Sequence, residues 1–209
     1  MTIFDLDGTL IDSNGVWLQI DLKFLEDRGL LHSREYSEYV SHATYQNAAA
    51  YTKSLFHLPE TAAEILQIWS EMAYEAYAKT IRLKPFARDY LSLLSSRGET
   101  MAIATSCMDH LCSAVLEQTG IRPFFSSVTT VREISRDKSS PDIFLLAAEK
   151  EGVAPAQCTV FEDSPYACRG AKAAGMKVVG VYDSFFSSYQ REMETLCDRY
   201  IISFRELLH

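Results

Sequence analysis

The stretch Ile3-Phe4-Asp5-Leu6-Asp7-Gly8-Thr9-Leu10 sets both the fold and the chemistry expected of this 209-residue chain. Apolar β-formers that run straight into acid, acid and glycine predict a buried strand ending in a polar loop. Side chains alternate along extended backbone, so Asp5 and Asp7 lean the same way while Leu6 points into the protein. Gly8 lets the backbone turn sharply after them, and the Thr9 hydroxyl can tie that turn down. Two carboxylates held this close repel one another unless a cation sits between them or one keeps a proton. The pair therefore suggests a Mg²⁺ site or an acid/base pair. A calcium loop opens with similar spacing but needs further oxygen ligands and a closing Glu, which Ser13-Asn14-Gly15-Val16-Trp17 does not supply.

Downstream of this strand the chain is first all helical and then alternates. Asp12-Ser13-Asn14 can cap a helix through about Arg28, with Val16, Trp17, Ile20, Phe24 and Leu25 at helical spacing and Gly29 as the stop. A second helical region runs from Ser33 to about Leu58. Leu58-Pro59-Glu60 then opens a third, whose stripe is Ile65, Ile68, Trp69, Met72 and Ala76. From Leu83 onward, helix, glycine stop and short β-rich run repeat. Helices are expected from Pro85 to Gly98, from about Asp109 to Gly120, from Pro141 to Gly152 and from Pro165 to Ala174. Between them lie strands at Thr100–Ala104, Ser127–Val131, Cys158–Phe161 and Lys177–Val181, and the tail adds a helix, a short strand at Tyr200–Ile202 and a last turn. This alternation predicts an α/β fold with a doubly wound, mostly parallel, Rossmann-like sheet that also takes in Thr2–Phe4. Residues 1–13 and 82–209 would form the core, and residues 14–81 an inserted all-helical cap.

Composition narrows the chemistry. An apolar content of 47% with 23% charged residues is that of a globular protein, and a net charge of −8 argues against nucleic acid or an anionic membrane as partner. Any anionic substrate must then be met by a local positive focus. The five cysteines lack C-x-x-C spacing, which fits buried thiols in a reducing cytoplasm better than a disulfide framework or a zinc site. No charged-then-apolar leader precedes Asp5 and no apolar run approaches the length of a membrane span; the lead strand is short enough that upstream residues could be missing.

In open parallel sheets the ligand sits beyond the carboxyl ends of the strands. Four such loops carry suitable groups: Asp5 and Asp7, Thr105 and Ser106, Lys138, and Glu162-Asp163-Ser164. Each alone reads as a helix cap or a solvated side chain; together, in this order and all after strands, they read as a site. The order resembles the four motifs of the haloacid dehalogenase superfamily of aspartate-nucleophile phosphotransferases. Asp5-Leu6-Asp7-Gly8-Thr9-Leu10 looks like the first, Thr105 the second, and Lys138 in Lys138-Ser139-Ser140-Pro141-Asp142 the third. Val160-Phe161-Glu162-Asp163-Ser164 with Ala171-Lys172-Ala173-Ala174-Gly175 is similar to the fourth. Ser139 departs from the commoner Lys-Pro form of the third motif but keeps the amine.

The resemblance implies a Mg²⁺-dependent phosphomonoester hydrolase acting on a small phosphorylated metabolite. Asp5 would be the nucleophile of an aspartyl-phosphate intermediate and Asp7 the general acid and base. Asp5, the Asp7 backbone carbonyl and Asp163 would hold Mg²⁺, with Glu162 orienting a metal water. Thr105, Ser106 and Lys138 would bind the phosphoryl group. The position of the helical insertion resembles that of the small cap in the subfamily of phosphoglycolate phosphatase and β-phosphoglucomutase, which makes Trp17, His42, Lys53 and Arg169 conceivable substrate contacts. A sugar phosphomutase is the alternative within the family. Such mutases typically carry a His where Trp17 stands and a Ser-Lys pair where this chain aligns Cys107 and Met108, and an apolar pair offers a second phosphate no charge-assisted bond. Halide release suits the Asp7, Lys138 and Mg²⁺ layout less well than phosphoryl transfer. A catalytically idle, ligand-binding relative is the reading from a different class, and a monomer is the family-like expectation.

Overall fold

The computed structural model describes residues 1–43 and 45–208, apart from the side chains of Glu38, Ser41 and His42. These residues gather into two compact units, one formed by Met1–Asn14 and Ile81–His209 and the other by Gly15–Thr80.

In the first unit, six described strands form one sheet: β1 (Thr2–Phe4), β2 (Met101–Thr105), β3 (Ser127–Thr130), β4 (Thr159–Glu162), β5 (Lys177–Val181) and β6 (Arg199–Ile201). Their order is β3-β2-β1-β4-β5-β6, and every pairing is parallel. The chain thus winds outward from β1 in both directions, and β1 sits at the point where the winding reverses. Phe4 and Ile3 point to opposite faces, and both are fully buried. On one face Phe4 stacks on Phe161 at 4.8 Å between ring centroids and meets Tyr90 and Phe125 edge-on. On the other, Ile3 joins Ala104 and Val160 against Ile143, Phe144 and Ala147 of α7 (Asp142–Lys150) and Ala167, Cys168 and Ala171 of α8 (Pro165–Ala173). A strand buried on both faces explains why the sheet segments read as unbroken apolar runs instead of alternating ones.

One helix start in this unit is displaced by the backbone before it. The helix expected from Pro85 begins at Ala87 (α5, Ala87–Ser96), because Phe86 takes a left-handed conformation with φ of 64°. Asp109 does open its helix (α6, Asp109–Gln118), and the tail forms a 3₁₀ segment at Ser184–Tyr189 followed by α9 (Gln190–Leu196). All five cysteines are buried and free, and among the described residues no helix is long and apolar enough to cross a membrane.

The second unit contains α1 (Val16–Glu26), α2 (Arg34–His42), α3 (Tyr45–Phe56) and α4 (Ala62–Glu75), closing on a π-helical turn at Ala76–Thr80. Its core holds Ile20, Phe24, Tyr36, Ile65 and Trp69, with Phe24 and Trp69 edge to face at 5.7 Å. Pro59 does not open α4. Thr61 does, in a capping box with Glu64, whose carboxylate accepts from both the Thr61 amide and hydroxyl. Glu60 instead takes the Arg28 guanidinium, at 2.7 Å, and Arg28 lies over the Phe24 ring. Nor do Asp12-Ser13-Asn14 cap α1. Gly15 occupies that position without a side-chain cap, since Ser13 and Asn14 have other partners.

Candidate active site

Asp5 follows β1, Glu162 ends β4 and Asp163 follows it, and the parallel pairing of Phe4 with Phe161 sets these carboxylates side by side at the centre of the sheet. One carboxylate oxygen from each of Asp5, Glu162 and Asp163 lies within 4.8 Å of the others, and all three residues are buried. Lys138 reaches into this cluster from the loop after β3. Its ammonium donates to Asp5 Oδ1 and to Glu162 Oε2, both at 2.6 Å. Burial works against the charge of Lys138, but Asp5 and Glu162 outweigh it and raise its pKa. The same burial, with the nearby Asp5 charge adding to it, holds Glu162 well above the ordinary carboxylate range and pushes Asp163 up to about 7.

Backbone geometry fixes these groups. Gly8 turns the chain with φ of +79°, and a Cβ there would fall 2.1 Å from Asn14 Nδ2 and 2.2 Å from Asp163 Oδ2. Only glycine lets the first loop close on Asp163. Thr9 then donates to Asp163 Oδ1 at 3.2 Å and Asn14 to Asp163 Oδ2 at 2.7 Å. Gly170 of α8 brings that helix against the lysine loop, where a Cβ would meet the Lys138 carbonyl oxygen at 2.2 Å. Ser13 donates to Asp7 Oδ1 at 2.7 Å and so orients that carboxyl.

A cavity of about 470 Å³ opens over these groups and is lined by Asp5, Asp7, Asn14, Ser106, Asp137, Lys138, Glu162 and Asp163 among others. Thr105 is fully buried at the end of β2, where its Oγ1 accepts from the Cys107 amide at 3.0 Å; Ser106 takes the place on the wall. Asp7 lines the cavity but its carboxyl is not part of the three-carboxylate cluster. Five carboxylates and one ammonium line the cavity, a balance that repels a phosphate unless a cation joins the carboxylates. Three buried acidic oxygens around one point, with burial and the Asp5 charge raising Asp163 to about 7, are the donor set of a hard divalent ion. The residues present fit such a group.

The remaining candidates are engaged elsewhere. In the helical unit Trp17 packs edge-on to Tyr45 at 5.6 Å, and Lys53 donates to the carbonyl oxygens of Leu58 and Glu60. Arg169 pairs with Glu192 and lies 5.5 Å over the Tyr166 ring. The side chain of His42 is outside the described residues. Thr9, Ser13 and Asn14 are site residues that the sequence reading did not assign; Asn14, in particular, was indistinguishable from a helix cap. Asp183, which is not among the residues lining the cavity, takes the Lys84 ammonium at 2.7 Å.

A parallel sheet with a carboxylate after its central strand, a buried lysine bonded to it and an acidic pair at the end of the neighbouring strand defines a doubly wound α/β fold whose buried acidic cluster could hold a metal ion. The chain belongs to the haloacid dehalogenase-like hydrolases, whose family model matches residues 2–181. It is 40% identical over 81 residues to the fructose-1-phosphate phosphatase YqaB of Escherichia coli K12, a stretch that covers 39% of this chain and 43% of that protein. A Drosophila melanogaster protein provisionally named a pseudouridine-5′-phosphatase is 30% identical over 87% of this chain and 80% of its own length. A Thermotoga maritima structure provisionally named a β-phosphoglucomutase superposes with a TM-score of 0.88 at 21% identity, over 99% of this chain and 95% of that one, and shows the same fold. The protein is an enzyme of the phosphatase type.

Proposed function

We propose that the protein hydrolyses the phosphomonoester of a small metabolite through an aspartyl-phosphate on Asp5, with Mg²⁺ as its ion. The observation that carries this reading is the Lys138 ammonium, 2.6 Å from Asp5 at the end of the central strand, which pairs with the attacking carboxylate and offers the phosphoryl group a positive charge. Asp5 attacks phosphorus in line and the ester oxygen leaves, taking its proton from Asp7, whose carboxyl Ser13 holds in place. Asp7, now a carboxylate, then takes a proton from the water that splits the acyl-phosphate, which returns Asp5 and releases inorganic phosphate. Ser106 and Lys138 hold the phosphoryl oxygens, and the buried Thr105 hydroxyl shapes the turn beneath them. Asp5, Asp163 and the Asp7 carbonyl would hold Mg²⁺, and Glu162, bonded to Lys138, would orient the ligand shell. When bound, the ion would neutralise phosphoryl charge and let the anionic ester enter a cavity rich in carboxylates.

Residues 15–80 enter the chain directly after the loop that carries the nucleophile, which supports their reading as a cap. The relatives named for fructose-1-phosphate and pseudouridine 5′-phosphate support a small phosphorylated metabolite as substrate. Among the described residues that line the cavity Lys138 is the one cation, which favours a monoester hydrolase over a mutase that must grip a second phosphate. The test is p-nitrophenyl phosphate with and without Mg²⁺. Turnover that needs the metal and vanishes in Asp5→Asn is expected; equal turnover by Asp5→Asn would overturn the assignment.

A further inference from the structure

The catalytic cavity has an aromatic side that the chemistry above does not use. Tyr166, Ala167 and Phe186 line it together with Asp5, Asp7 and Lys138. Tyr166 stands in the first turn of α8, three residues beyond Asp163, and Phe186 lies in the 3₁₀ segment after β5. Both belong to one connected set of rings. Tyr166 meets Tyr189 at 6.1 Å and 62°, Phe186 meets Tyr189 at 6.2 Å and 67°, and Phe185 meets Phe186 at 5.0 Å and 84°. These edge-to-face contacts hold the rings as a group. Tyr166 is 49% exposed and Phe185 63%, while Phe186 is half-buried and Arg169 lies 5.5 Å over the Tyr166 ring, which leaves the other face of that ring for a ligand.

The group is also anchored. The Tyr166 and Tyr189 hydroxyls share a hydrogen bond at 3.2 Å. Asp183 caps the 3₁₀ segment by accepting from the Phe185 amide at 2.9 Å, and its other oxygen takes the Lys84 ammonium, which also donates to the Tyr182 carbonyl. Burial opposes the charge of Asp183, but Lys84, the Phe185 amide and Asn14 together hold its pKa below the usual value, so the anchor stays ionised. Exposed aromatic surface fixed in place beside reactive groups, with few side-chain torsions left to freeze, is suited to stacking on a flat ligand.

Polar alternatives are less well provided for. Asn14 is bonded to Asp163, Ser139 to Asp137, and Lys138 to Asp5 and Glu162, so these side-chain donors of the wall are engaged within the protein, and its open polar capacity is chiefly that of carboxylate acceptors. A second phosphate would face the carboxylates with no further cation among the described residues of the wall.

Resting on the hydrolase reading, we propose that Tyr166 and Phe186 form a stacking shelf that selects a monophosphate whose leaving group carries a flat aromatic or heteroaromatic ring. Both are specificity-determining residues for the leaving group. The experiment compares kcat/KM for 2-naphthylmethyl phosphate and glycerol 3-phosphate, two primary alkyl esters with similar leaving groups, in the wild type, Phe186→Ala, Tyr166→Ala and Tyr166→Phe. The wild type should prefer the naphthylmethyl ester at least about tenfold, an amount that corresponds to about 1.4 kcal/mol. Phe186→Ala and Tyr166→Ala should bring that ratio toward one, chiefly through KM, and Tyr166→Phe, which keeps the ring, should retain most of it. Equal kcat/KM values in the wild type, or alanine variants that keep the ratio, would overturn the shelf and leave the hydrolase reading standing. If neither ester nor p-nitrophenyl phosphate is hydrolysed, the hydrolase reading itself fails.

Discussion

Replacing Lys138 by Met removes one buried charge that two buried carboxylates share, and its effect on stability can be worked from the geometry. The lysine side chain is 9% exposed, Asp5 7% and Glu162 2%, and both N–O distances are 2.6 Å. Removing one partner of such a group costs about 3–5 kcal/mol, because the charges left behind are neither hydrated nor paired. A proton can relieve part of this. Glu162 is already held well above its ordinary pKa by burial and by Asp5, and loss of the ammonium raises it further. A carboxyl whose folded pKa lies above its unfolded value stabilises fully below the unfolded pKa, and that contribution is lost as pH rises through the folded one. The deficit of Lys138→Met should therefore be larger at pH 8 than at pH 5. At roughly 2–4 °C per kcal/mol for a chain of this size, the melting temperature at pH 8 should fall by about 6–20 °C in metal-free buffer. Urea unfolding at the two pH values is the assay, with Lys138→Met/Glu162→Gln expected to recover part of the loss. A deficit under about 1 kcal/mol at pH 8, or one equal at both pH values, would refute the argument from buried charge.

Three further outcomes follow from other contacts. Gly170→Ala should destabilise by about 1–3 kcal/mol and lower kcat, although alanine is the better helix former, because its Cβ would strike the Lys138 carbonyl; a rise in melting temperature would contradict that packing. Gly8→Ala should weaken Mg²⁺ activation at least about tenfold, since the added carbon displaces Asn14 and Asp163 and sits at an unfavourable φ. Metal titration of the activity checks it, and an unchanged midpoint would count against the loop closure described. In the helical unit, burial raises Asp21 to about 6, with the Tyr36 hydroxyl opposing, so its contribution is full below about 3.8 and lost as pH passes through about 6. Asp21→Asn should gain about 1–2 kcal/mol on the wild type between pH 4 and pH 7.5, after allowance for the part of the carboxylate that water reaches; parallel denaturation curves at the two pH values would contradict this.

The sheet was legible in the sequence because strands buried on both faces write themselves as apolar runs bounded by glycine. Asp5, Glu162 and Asp163, which the structure brings together, follow or end such a run, and Lys138 lies in the loop beyond β3. What escaped notice used the same residue types for another purpose. Ser13 and Asn14 carry the signature of a helix cap, yet their side chains turn back to Asp7 and Asp163, and no local pattern distinguishes the two uses. The Thr61 to Glu64 box was present in the sequence but was outweighed by Pro59 one turn earlier. Phe86 could not be foreseen, because a left-handed aromatic residue contradicts local preference. The close approach at Gly170 depends on a loop about thirty residues away in sequence, beyond the reach of any window.

Because β1 lies between β2 and β4, it is made long before either partner. During synthesis its first ladder can close only after Met101–Ile103 has emerged, and its second only after Thr159–Phe161. At about 5–20 residues per second the wait for the second lasts roughly 8–30 s, during which Ile3 and Phe4 and their backbone edges stay unpaired. The helices of residues 15–80, built on nearby contacts, can settle in that interval. Nascent chains arrested before β4 has emerged should accordingly bind holdase chaperones through residues 1–10 and release them once Glu162 has emerged.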